Sequence, residues 1–146
     1  MLEPPLKPPK ANLELAKLRD PRKLLPAQEE RITTRLKTFG GQKFTFSVSS
    51  DSESVEMLEV MDKLLKASGW IWTKPIGIIM LGDKADLVAA TGIAVQISTK
   101  TEPSVEAVAL ALASALVAEG IQARAERSKD MDDHVDTLRV VIGRKP

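Results

Sequence analysis

Apolar and polar positions along this chain follow two periods that alternate. Lys43 to Ser49 sets Phe44, Phe46 and Val48 against Thr45 and Ser47, the two-residue alternation of a strand. The period then lengthens. Met57, Leu58, Met61, Leu64 and Leu65 share one helical face, opposite Glu56, Glu59, Lys63 and Lys66. Ser50 and Glu53 have the spacing of a capping box, Gly69 ends the helix, and Trp70-Ile71-Trp72 begins a return strand. The same order recurs 51 positions later. Phe44, Phe46, Ser50, Met61, Leu65 and Gly69 correspond to Val95, Ile97, Thr101, Leu112, Leu116 and Gly120. Two units, 43–73 and 94–124, therefore read as strand, helix, strand.

The second helix, about Thr101 to Glu119, differs from the first. Between Val105 and Ala118 only Glu106 and Ser114 are strongly polar. A helix so uniformly apolar needs cover on more than one side. Elsewhere the periods are clear in some places and weak in others. Pro26 to Phe39 reads as a helix with one stripe, Ile32, Leu36 and Phe39, closed by Gly40-Gly41, and it should lie on the domain. Thr137 to Gly143 reads as a final strand. Lys74 to Thr91 is the least legible part, with a turn at Gly82-Asp83 and a helical turn over Asp86 to Ala90 as the expectation. Residues 1–25 read as a proline-rich basic linker, with a short helix over Asn12 to Leu18. Residues 26–146 read as the α/β domain.

Two helical crossovers imply parallel strand pairs. The expected fold is α/β, a single sheet of about five mostly parallel strands built from two βαβ-like units, with the N-terminal helix packed on it. Flavodoxin-like and split-βαβ, ferredoxin-like orders are both compatible with the pattern.

Composition narrows the chemistry. Of 146 residues 43% are apolar and only 3% aromatic, so the core is aliphatic. There is no cysteine, hence no disulfide, thiolate ligand or cysteine nucleophile, and a cytoplasmic location is favoured. Net charge is +1, but residues 1–42 carry nine Lys/Arg against five Asp/Glu, while 43–146 carry twelve against fifteen. A mildly acidic domain poor in aromatics argues against nucleic acid as a partner. No apolar run approaches the roughly 20 residues of a membrane span.

The strand-to-helix turns around Ser50 and Ser52, and around Thr99 and Thr101, are the candidate ligand-binding positions, because open α/β sheets bind ligands where strands end and helices begin. Neither turn has phosphate-loop glycines, and Asp51, Glu53 and Glu102 oppose an anion, so helix capping is the plainer reading. Asp130, Asp132, Asp133, His134 and Asp136 crowd into seven residues, but the glycine and distal glutamate of a calcium loop are missing. His134 is the only histidine and no nucleophile elbow accompanies it. No catalytic residue, metal ligand or cofactor is assigned. Trp70 and Trp72, together with Val105, Val108 and Leu112 of the apolar helix, are the candidate contact residues for a protein partner or for self-association. A covering helix is the simpler fate for the tryptophans.

Several pieces form a familiar series: Leu36…Phe39-x-Gly41-Gln42, Ala67-Ser68-Gly69-Trp70, Gly92-Ile93, Ala118-Glu119-Gly120-Ile121 and Val141-Ile142-Gly143-Arg144-Lys145-Pro146. Over about 26–146 the chain resembles uncharacterised bacterial proteins in which N-terminal transmembrane helices precede a small α/β domain. That group has no assigned activity, so the resemblance implies no catalytic residue. It implies a module at the cytoplasmic side of the inner membrane, tethered by an upstream segment that this chain does not carry. The expected function is that of a non-catalytic interaction or sensor module, with small-ligand binding at the hydroxyl-rich turns as the alternative.

Overall fold

The computed structural model describes residues 22–146. The expected Asn12 to Leu18 helix lies outside them. Helix α1 runs over Pro26–Leu36 and continues as a 3-10 turn over Lys37–Phe39. Proline in its first turn and the glycine pair beyond Phe39 set its limits. Ile32 and Leu36 are fully buried and Phe39 packs at the core's margin, so the stripe read from the sequence is the packed face.

Strand β1 (Lys43–Val48) leads to α2 (Ser52–Ala67) and then to the two-residue β2 (Ile71–Trp72). A hairpin follows, β3 (Met80–Leu81) and β4 (Ala85–Leu87), turning at Gly82 with φ +69°. Then come β5 (Ile93–Ser98), α3 (Pro103–Ala118), β6 (Ala123–Ser128) and β7 (Thr137–Ile142). Asp86 to Ala90 is therefore not a helical turn. Ala85–Leu87 pairs in parallel with Phe46–Val48, and that pairing, not local propensity, makes it a strand.

The sheet has seven strands, not about five. Its order is β3-β4-β1-β7-β5-β6, and β2 shares with β4 the same edge of β1. Most pairings are parallel: β1 with β2, β4 and β7, and β5 with β6. Two are antiparallel, β3 with β4 and β5 with β7. The second of these matters most. Strand β7 runs with β1 but against β5, so β1 and β5 point in opposite directions.

Alternate residues of the central strands, Phe44, Phe46 and Val48, Leu138, Val140 and Ile142, and Ile93, Val95 and Ile97, form one core with the buried faces of the three helices. The other sheet face is polar yet largely enclosed: Thr45 and Ser47, expected to face outward, are buried. Ser47 Oγ donates to Asp86 Oδ1 at 2.5 Å, and Gln96 links Arg139 of β7 to Glu126 of β6. The connection before β4 is pressed onto this face, where a Cβ at Gly77 would collide with the Asp86 carboxylate. Among the described residues no helix is long and apolar enough to cross a membrane.

Candidate functional site

Because β1 and β5 run oppositely, the two hydroxyl-rich turns lie at opposite ends of the sheet. Ser50 and Ser52, both exposed, sit where β1 and β7 end. Thr99 and Thr101 sit at the other end, beside the connection that enters β7. No single ligand spans both turns.

At the first turn the helix cap is Asp51, not Ser50. The Asp51 carboxylate accepts from Ser54 N at 3.1 Å and Ser54 Oγ at 3.0 Å. Glu53 does not reach back as a capping partner, because Arg22 holds it: Nε and Nη2 donate at 2.8 and 2.6 Å, and Nη2 also donates to Gly143 O at 2.7 Å. Burial alone would push the Glu53 carboxyl up, but the Arg22 hydrogen bonds outweigh it and hold the group below its ordinary value. Likewise Asp51, raised by burial, is brought below its ordinary value by Ser54 and by Arg144. Beside this turn lies an open cleft of about 630 Å³ lined by Ser49, Ser50, the Leu87 to Thr91 segment and Arg144. Arg144 stands 3.7 Å from Asp51, so its charge is already partly matched.

At the second turn Asp132 is the organising group. Ser98 Oγ, Thr99 N and Thr99 Oγ1 each donate to its Oδ1 at 2.8 Å. These bonds, Ser98 first, keep the carboxyl below its ordinary value. Thr101 is buried and donates to Val135 O at 3.3 Å. Nearby acids have separate partners: Asp136 meets Lys43 at 3.1 Å, and Asp130 meets Arg139 at 3.3 Å. Among the described residues no three His, Cys, Asp or Glu side chains converge as metal ligands do. His134 is exposed in the turn before β7.

The aromatic pair is spent internally. Trp70 is buried, packs 6.4 Å from Phe44, and donates through Nε1 to Leu36 O at the end of α1. Trp72, half-buried, donates to Lys84 O at 3.1 Å. The fate weighed for them in the sequence, burial beneath the N-terminal helix, fits Trp70.

On α3 the candidates Val108 and Leu112 point into the core at 6% and 0% exposure, and Val105 is half-buried. Helix α1 covers one flank. Gln28 Nε2 donates to Glu119 O, and Arg31 pairs with the Glu119 carboxylate at 2.6 Å. Among the described residues nothing covers the outer face. Leu110 and Val117 are 52% and 55% exposed, with exposed Ala107 and Ser114 beside them. Sequence reasoning misses these two, since an apolar helix hides its own phase. The two polar positions carry the signal: Leu110 is four residues from both Glu106 and Ser114, and Val117 is three from Ser114.

Direction around the helix axis can be fixed. Glu106 pairs with Arg127 of β6. At about 100° per residue, Leu110, Ala113 and Val117 share the Glu106 side of α3. That side overlooks β6, which among the described residues pairs only with β5. Its other edge leaves backbone N–H and C=O groups without a sheet partner. An apolar helix shoulder and an open strand edge are thus adjacent. No protein-family model matches the chain, and neither a curated protein nor a solved structure matches it.

Proposed function

We propose that this domain is a non-catalytic interaction module whose contact surface is the outer shoulder of α3 with the free edge of β6. The observation that carries this reading is the half-exposed pair Leu110 and Val117 beside a strand edge that has no partner among the described residues. Clustered apolar exposure costs solubility unless a partner covers it. The titratable groups support a non-catalytic role, since the depressed carboxyls of Asp51, Glu53, Glu119, Asp132 and Asp136 are each held by hydroxyl, amide or guanidinium and ammonium groups in structural links. The resemblance adds the setting: the cytoplasmic face of the inner membrane, reached through an upstream segment.

A photo-crosslinking residue at position 110 of the full chain, in the native cell, tests the proposal. Discrete adducts are expected, and Val117→Lys should suppress them. A probe at Lys63, exposed on α2, is the control. If position 110 gives no more than position 63, the reading fails.

Small-ligand binding is the second reading, and one feature favours it: the cleft of about 630 Å³ beside Ser50 and Arg144 at the ends of β1 and β4. A thermal-shift series with nucleotides, sugars and small oxyanions checks it. A stabilising compound whose effect survives Ser50→Ala and Arg144→Ala would place its site elsewhere.

A further inference from the structure

We infer that the occupant of the α3–β6 surface is a second copy of this chain, joined by antiparallel pairing of the two β6 edges about a two-fold axis through Ala125. This rests on the interaction reading above and names its partner.

Charge along β6 selects the register. In a two-fold antiparallel pair, opposing residues have numbers with a constant sum, and an even sum keeps both helical layers on one side of the joint sheet. Centring on Ala125 sets Arg124 opposite Glu126 of the second copy, twice over, and Ala125 opposite itself. Moving the centre one residue to Arg124 sets two arginines face to face, and moving it to Glu126 sets two glutamates face to face. Of these three registers only the first brings opposite charges together. Arg124 and Glu126 already lie side by side on the sheet face away from the helices, 2.8 Å apart, while Ala123 and Ala125 pack toward the core. The dimer would extend that pair into an alternating cluster of four charges.

The helices fit the same axis. Helix α3 touches both β5 and β6. Strands lie about 4.8 Å apart, so two such helices over a joined β5-β6-β6-β5 row stand about 9.6 Å apart, within the 8–10 Å of packed helices. Position along the strand direction agrees as well. From Arg127 to Ala125 the strand climbs about 6.6 Å. From its partner Glu106 the same climb along α3, at about 1.5 Å per residue, ends near Leu110. Leu110 therefore stands level with the two-fold axis on the shoulder that faces the second copy, next to the small Ala113 and with Val117 beyond it along the helix. Strand β6 carries neither lysine nor proline; its charged residues are Arg124, Glu126 and Arg127. Charges of one sign facing each other across the edge would oppose pairing, so the register that matches them is the one that lets two edges meet.

Sedimentation velocity on the full chain over a concentration series tests this. The wild type is expected to form a dimer. Arg124→Glu and Glu126→Arg should each weaken it about tenfold or more, because each sets like charges opposite one another. Mixing the two single variants should restore a dimer, now a heterodimer, since the two acidic side chains of one variant then face the two basic side chains of the other. The pair within each chain stays broken in that mixture, so recovery reports contact between copies and not local stability. Circular dichroism should find both variants folded. A wild type that stays monomeric at its solubility limit overturns the inference, as does a dimer that both variants leave intact, or a mixture that fails to recover. If the chain is monomeric while position 110 still crosslinks to another protein, self-association falls and the interaction reading stands. If neither occurs, both fall.

Discussion

Asp132 shows how much one half-buried carboxylate can organise. It ties the end of β5 to the connection entering β7 through Ser98 and Thr99. Its folded pKa lies below the unfolded value of about 3.9, so its contribution is complete above that value and disappears as pH falls through the folded one. Asp132→Asn should lower the urea midpoint at pH 7 and flatten the loss of stability between about pH 5 and 3, read from denaturation curves across that range. Arg22 acts over a longer distance in sequence. With only 5% of its side chain exposed, it joins the segment before α1 to Glu53 on α2 and to the Gly143 carbonyl after β7. Arg22→Ala should cost about 1.5–3 kcal/mol by urea denaturation, the range for hydrogen bonds to charged groups. Neither role was legible in the sequence. Glu53 has capping-box spacing and Arg22 sits in a basic stretch, and nothing local says that residues 31 positions apart will meet.

At the scale of elements, α3 offers the clearest contrast. Leu112 is fully buried, and Leu112→Ala should cost about 2–5 kcal/mol. Leu110→Ala, on the open shoulder, should change monomer stability by no more than about 0.5 kcal/mol. Chemical denaturation of the two variants at a concentration low enough to favour the monomer separates the faces. Gly143 has a different constraint. A Cβ there would run into the Ala90 backbone, where the segment after β4 crosses the end of β7, so Gly143→Ala should lower Tm by several degrees on a thermal melt. The three described helices were readable to within about two residues at each end, because glycines and periodicity are local signals, whereas the cap of α2 is Asp51 and not the expected Ser50. Strands β2, β3 and β4 were not, since two or three residues are too few to show a period and exist as strands only through β1 or each other.

At the scale of the whole molecule, the decisive fact is strand order. Local pattern implies parallel crossovers, and β1–β2 and β5–β6 are parallel. It does not say that β7 enters between β1 and β5 with opposite relations to them, and so does not say that the candidate turns part to opposite ends. Order also ranks protection. Amide exchange should be slowest in β1, β7 and β5, each flanked on both sides, and fastest in β3, which has one short neighbour and lies next to the exposed Ile78 and Ile79. Exchange followed by mass spectrometry or NMR checks the ranking.

Strand β7 has a consequence for biosynthesis. Residues 137–142 are made after every other described strand, yet they occupy the middle of the sheet. Until they leave the ribosome, β1 on one side and β5 on the other are raw edges with no partner between them, and the two parts of the sheet have no strand to join them. The domain therefore closes like a keystone arch, late and at once. A chain truncated after Asp136 should be readily digested and readily captured by chaperones, while a chain that includes residues 137–142 should be a protected domain, as limited proteolysis of the two would show.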